Sequence, residues 1–221
     1  KVRIYLQLAE VDAELGRPLE AAGALTEAVK HGADELKHLP RIVELLEAGG
    51  RPADVSEALL RWSTLEEKAG DAAKASSRSV RRAKLLETSL GDKAEAIRRY
   101  VEVLKKNASD PEAVAALEGL LADEAHRYEA AVALVPAYET IRDYRKLVQA
   151  LSTVAYFAKD SLEQITAYRK TASIHTEHLR QPEQAYAAMA NAMRLLSDDV
   201  EIRALTRAAA EAADLLDSYA E

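Results

Sequence analysis

The chain has 221 residues, of which 48% are apolar, 30% charged and 5% aromatic, and it carries a formal net charge of −7 with no cysteine. That length and apolar share suffice for a sizeable buried core, in one domain or two. The missing thiols exclude a disulfide framework, a thiol nucleophile and Cys-ligated zinc, and no apolar run approaches the ~20 residues that cross a bilayer, so membrane insertion is not expected.

Ile4, Tyr5, Leu8, Val11 and Leu15 recur at helical spacing and predict a helix over 2–15. Gly16 ends it, and Pro18 suits the first turn of a second helix carrying Ala21, Ala22, Leu25, Ala28 and Val29. Asp34 is the N-cap expected for a third helix through Leu39, Ile42, Leu45 and Leu46, which tolerates Pro40 if it starts late. The Gly49-Gly50-Arg51-Pro52 turn closes it. A fourth helix spans 53–69 with Val55, Leu59, Trp62 and Leu65 in line, and Gly70-Asp71 separates it from a fifth that reaches about Ser89. The stretch from Leu85 to Pro111 then reads as a helix end, a Gly-Asp turn, a sixth helix over 93–106 and an Asp-Pro start of a seventh.

Beyond it, helical spacing marks 127–140, with Pro136 expected as a kink or boundary, and 143–159. Asp160-Ser161 caps the next helix, with Leu162, Ile165, Tyr168, Ala172 and His175. Gln181-Pro182 opens one with Ala185, Met189 and Ala192, and Asp198-Asp199 caps one over 200–213. A last segment, Leu215 to Tyr219, reads as the truncated start of a further helix. No strand-like alternation is sustained, so the fold class is all-α.

A frame shift of 89 lays residues 54–122 on 143–211 without a gap. Asp54 meets Asp143, Ser63-Thr64 meets Ser152-Thr153, Asp71 meets Asp160, Ala96 meets Ala185, and Asp110 meets Asp199. Tyr5, Leu8, Ala9, Gly16, Ala21, Leu25 and Ala28 follow the residue pattern of the tetratricopeptide family, which the chain resembles, as do Gly91, Asp92, Ala96, Ile97, Tyr100 and Leu104. Ala185, Met189 and Ala192 fit a third unit, in which Arg180 stands at the turn glycine. The resemblance implies a right-handed α-solenoid of antiparallel helix pairs, with about 11–12 helices in one repeat domain over 1–221. Its clear units are 2–34, 72–110 and 161–199. The missing initial methionine suggests a piece of a longer array, and a cytoplasmic setting is the expectation.

Charge is uneven. Residues 1–110 hold 19 basic and 19 acidic side chains, residues 111–221 hold 11 and 18, and the stretch 68–106 is locally +6. Within it, Arg78 and Arg82 share a helix face that Arg81 borders. The family resemblance implies that such positions look into a concave groove, one suited to an acidic peptide or protein partner. The matching positions one period later are Ala167, Lys170 and Thr171, near Gln164, Tyr168 and His175. Overall acidity and the lack of interleaved aromatics weigh against nucleic acid. His175 and His178 have helical i, i+3 spacing but lack an HExxH arrangement and a third ligand, and no phosphate-binding glycine loop or nucleophile–base pair is present. The reading is therefore a non-catalytic interaction module without cofactor, with a structural segment of a larger or homo-oligomeric assembly as the alternative.

Overall fold

A computed structural model describes residues 1–217, and among them the chain forms helices, turns and no strand. It divides into two compact units, Lys1–Lys105 and the remainder from Lys106. The first holds α1 (Val2–Glu14), α2 (Pro18–Lys30), α3 (Glu35–Ala48), α4 (Pro52–Lys68), α5 (Ala72–Thr88) and α6 (Lys93–Lys106), whose last residue crosses the division. The second holds α7 (Pro111–Leu120), α8 (Arg127–Ile141), α9 (Tyr144–Phe157), α10 (Ser161–Ile174), a π-helical turn (His175–Leu179), α11 (Pro182–Leu195) and α12 (Val200–Ala212). From α1 to α5, and again from α7 to α12, each helix packs against the next.

The sequence punctuation explains where the helices begin. Side chains of Asp34, Asp71, Asp110, Asp143 and Asp199 each accept the backbone N–H three residues on, and Asp160 accepts that of Leu162 at 3.1 Å. Each satisfies a donor that the first helical turn leaves orphaned. Pro18, Pro52, Pro111 and Pro182 occupy first-turn positions, where no N–H is needed. In the frame of 89, α5 and α10 begin at Ala72 and Ser161, α6 and α11 at Lys93 and Pro182, and α7 and α12 at Pro111 and Val200.

Small residues carry the core. Ala21, Ala28, Ala96 and Ala192 are fully buried, and Ala9 and Ala185 nearly so. Around them in the first unit lie Leu25, Ile42 and Leu45, and beside these Leu39, Val43, Val55, Leu59 and Trp62. In the second unit Ile165, Ala172, Ala185, Met189, Ala192 and Ile202 form one cluster. Alanine at a helix contact lets two backbones approach closely, so each position tolerates little added volume.

Two prolines lie inside helices, so α3 does not start late and Pro136 does not mark a boundary of α8. α3 starts at Glu35 and runs through Pro40, and α8 runs through Pro136 to Ile141. Each ring removes one N–H, so the carbonyls of Leu36 and Val132 lack their usual partner. Val132 and Pro136 are both exposed, which leaves that carbonyl on the solvent side. The helix expected through His175 stops at Ile174 and widens into the π-helical turn. The segment expected over Leu215–Tyr219 lies partly outside the described residues. No helix among them is long and apolar enough to cross a membrane.

Candidate functional site

The arginines of α5 engage residues of their own unit. The Arg78 guanidinium carbon lies 3.8 Å from the centroid of the Trp62 ring, and its Nε lies 3.6 Å from Oε2 of the buried Glu66, both on α4. Neither of those two atoms has a hydrogen bond, so the contact is electrostatic and aromatic. Arg81 pairs with Glu47 of α3 at 2.5 Å, and Arg82 Nε donates to Ser56 Oγ of α4 at 3.1 Å. Burial, then the neighbouring Arg99 cation, holds the Arg82 guanidinium below its ordinary pKa. On α6, Arg98 and Arg99 both pair with Glu95, and Arg99 also with Glu102. Arg78, Arg81 and Arg82 thus brace α5 against α3 and α4.

The second set is similarly engaged. Gln164 Nε2 donates to the Ala158 carbonyl at 2.9 Å, closing the end of α9. Tyr168 packs on the cluster around Ile165 and Ala172, Lys170 pairs with Glu139 of α8, and Thr171 is buried. His175 is 8% exposed, with Nδ1 3.0 Å from Gln181 Oε1. His178 stacks on Tyr144 with ring centroids 3.8 Å apart. The two histidines therefore serve two different contacts, and among the described residues no three potential ligands converge as a metal-binding set. Nearby, Tyr128 donates to Glu163 at 2.6 Å, and that hydrogen bond, followed by burial, pushes the phenol up to about 12.

A groove lies elsewhere in the first unit. α2, α3 and α4 enclose a cleft of about 490 Å³. Its floor is Leu39, Ile42 and Leu46 of α3, one wall is Leu19, Ala22, Gly23 and Thr26 of α2, and the other is Asp54, Glu57, Ala58 and Arg61 of α4. Local sequence fixes this shape. Asp34 caps the start of α3, while Gly50, at φ 67°, and Pro52 turn the chain back into α4. Gly49 leaves room for Leu19: a Cβ there would fall 2.2 Å from Leu19 Cδ2.

The rim charges are mostly consumed. Lys30 pairs with Glu27 at 2.6 Å, Arg51 with Asp54 at 2.9 Å, and Arg61 with Glu35. The hydrogen bond from Lys30 draws the Glu27 carboxyl below its usual range. Glu57 is exposed and has no partner among the described residues. Gly23 is exposed in mid-helix, and a Cβ there would meet nothing within 4 Å. Neither residue stood out in the sequence. The available signal was a glycine inside the otherwise strongly helical run Glu20-Ala-Ala-Gly-Ala-Leu25, where propensity alone favours alanine.

The chain matches no protein-family model and no curated protein sequence.

Proposed function

We propose that the chain is a non-catalytic interaction module that holds a helical segment of a partner protein in the groove between α2 and α4. Gly23 carries this reading. An interior helical glycine costs about 1 kcal/mol relative to alanine, and no internal contact at Gly23 requires it. A partner backbone lying close to α2 supplies the missing reason. The floor of Leu39, Ile42 and Leu46 suits the apolar stripe of an amphipathic helix, and the unpaired Glu57 suits a lysine or arginine beside that stripe. With the α5 arginines engaged by Glu47, Glu66 and Ser56, the favoured partner charge moves from acidic to basic, and a nucleic-acid role loses these three cations.

The same proposal includes tetratricopeptide-like pairing of antiparallel helices within each unit, in a right-handed solenoid. Neighbour-to-neighbour packing and the common frame of α5–α7 and α10–α12 support it.

The test is selection of peptide ligands from a random library on the intact chain, followed by titration against variants. Binders enriched in apolar residues at helical spacing and in Lys or Arg are expected. Gly23→Leu fills the wall and should abolish their binding while the fold persists, because the position is open. Glu57→Gln should weaken it several-fold. Binders indifferent to Gly23→Leu would overturn the groove assignment.

A further inference from the structure

We propose that a second copy of this chain docks on the outer face of α1, forming an antiparallel, two-fold symmetric helix pair. α1 has two apolar faces. One is centred on the buried Ala9 and packs on α2, with Tyr5 stacked on His31 at 5.4 Å between ring centroids. The other consists of Ile4, Leu8 and Val11, continued by the C-cap residue Leu15, which are 67%, 46%, 50% and 60% exposed. Single exposed leucines are ordinary, but a continuous stripe along a whole helix marks an interaction surface. Its residues do not line the groove, so it stands independently of the function proposed there.

The spacing of the stripe and the charges along its edge together favour a second copy as the occupant. The intervals are four, three and four residues, a pattern identical when read backwards. A reversed copy therefore sets Ile4 against Leu15 of the second copy, and Leu8 against Val11 of the second copy, with all four contacts repeated by the two-fold axis. A copy of the same helix satisfies this pattern by its own symmetry, which is the self-complementarity that an isologous contact requires. The charges repeat the symmetry. Arg3 and Glu14 lie on one edge of the stripe, at opposite ends of α1, and both are exposed with no partner among the described residues. Other arginines of this unit, including Arg41, Arg51, Arg61, Arg81 and Arg98, are paired with carboxylates. Reversal brings Arg3 beside Glu14 of the second copy, twice per dimer. One helix face buries less than the roughly 1,200 Å² typical of stable complexes, so the association is weak and concentration-dependent.

Sedimentation of the intact chain over a wide concentration range tests this. A reversible monomer–dimer equilibrium is expected, with Leu8→Lys raising its midpoint by about tenfold or more and leaving the helical signal and thermal unfolding unchanged. Arg3→Glu should weaken the dimer, and adding Glu14→Arg should restore it. Because the chain has no cysteine, Ile4→Cys mixed with Leu15→Cys should give a disulfide-linked dimer that neither variant forms alone. A chain that stays monomeric throughout, a dimer indifferent to Leu8→Lys, or self-crosslinking of either cysteine variant would each overturn the proposal.

Discussion

Where α4 and α5 bury Glu66 against Arg78 beside Trp62, the matching positions of α9 and α10, one frame of 89 later, hold Ala155, Ala167 and Leu151, all buried. The same helical frame thus accepts a buried ion pair in one copy and small apolar side chains in the other. The fold needs the positions filled, and the charge is an option that brings an obligation: removing either ion strands its partner in a poorly solvated place. A second pair of positions behaves differently. Arg81 and Lys170 coincide in the frame, and each reaches a glutamate near the end of the helix two before its own, Glu47 on α3 and Glu139 on α8. Here the cation is retained in both copies and its role is bracing.

The buried pair offers the largest effect by which to break this comparison. Arg78→Ala leaves the Glu66 carboxylate buried without its counter-ion and is expected to lower stability by about 3 kcal/mol in urea unfolding. The double variant Glu66→Ala/Arg78→Ala carries the residues of the second copy and should recover at least half of that loss. Strict additivity of the two single effects would show that the pair is uncoupled.

The closures of α5 and α10 sharpen the comparison at intermediate size. Asp92 N–H donates to the Leu86 carbonyl and Gln181 N–H to the His175 carbonyl, both at 2.9 Å, so the two helix ends fold alike. The residue inside each closure has positive φ, Gly91 at 69° and Arg180 at 54°. An L side chain in that region costs about 1 kcal/mol or more, so Arg180→Gly should raise stability by about 1 kcal/mol and Gly91→Arg should lower it similarly. A Cβ at Gly91 meets nothing within 4 Å, so the loss there reports backbone strain alone. Unchanged thermal midpoints in both variants would contradict the shared closure.

The smallest effect is a pH dependence. Lys146 donates to Glu118 at 2.7 Å and Tyr138 donates at 2.9 Å, and the lysine contact foremost holds the Glu118 carboxyl below its usual range. A depressed carboxyl contributes stability that is full above its unfolded pKa and is lost as pH falls through its folded one. Lys146→Met should remove most of that acid-side slope, a small effect for so exposed a pair. In the frame, Lys146 coincides with Glu57, which has no partner among the described residues. Glu57→Gln should leave urea unfolding at neutral pH unchanged, and a clear loss of stability would mean that Glu57 is engaged after all.

Much of the fold was legible because helix starts and stops are written locally. Asp71, Asp110 and Asp160 cap where capping chemistry requires, and Pro111 and Pro182 open their helices. The prolines inside α3 and α8 were less legible, because tertiary packing of Leu39 and Val43, and of Leu134 and Ala137, keeps those helices continuous across a missing hydrogen bond. The arginines were readable as a basic stretch but not as braces, since Glu47 lies 34 residues before Arg81 and Ser56 lies 26 before Arg82. His175 could have been read better. Its position in the frame is that of Leu86, a core residue, and its buried ring is satisfied by Gln181 rather than offered to a ligand. The groove was hidden because its three walls are assembled from separate helices, and only Gly23 hinted at it.

Gly49 gives that groove an adjustable width. Its backbone is ordinary, at φ −84°, so alanine fits the chain there, yet the new methyl would displace Leu19 from its seat against α3. Leu19 belongs to the groove wall, so the displaced side chain narrows or reshapes the cleft without altering the helices that frame it. One hydrogen atom at position 49 therefore sets the aperture, and a single methyl group becomes a tuning screw for what the groove admits.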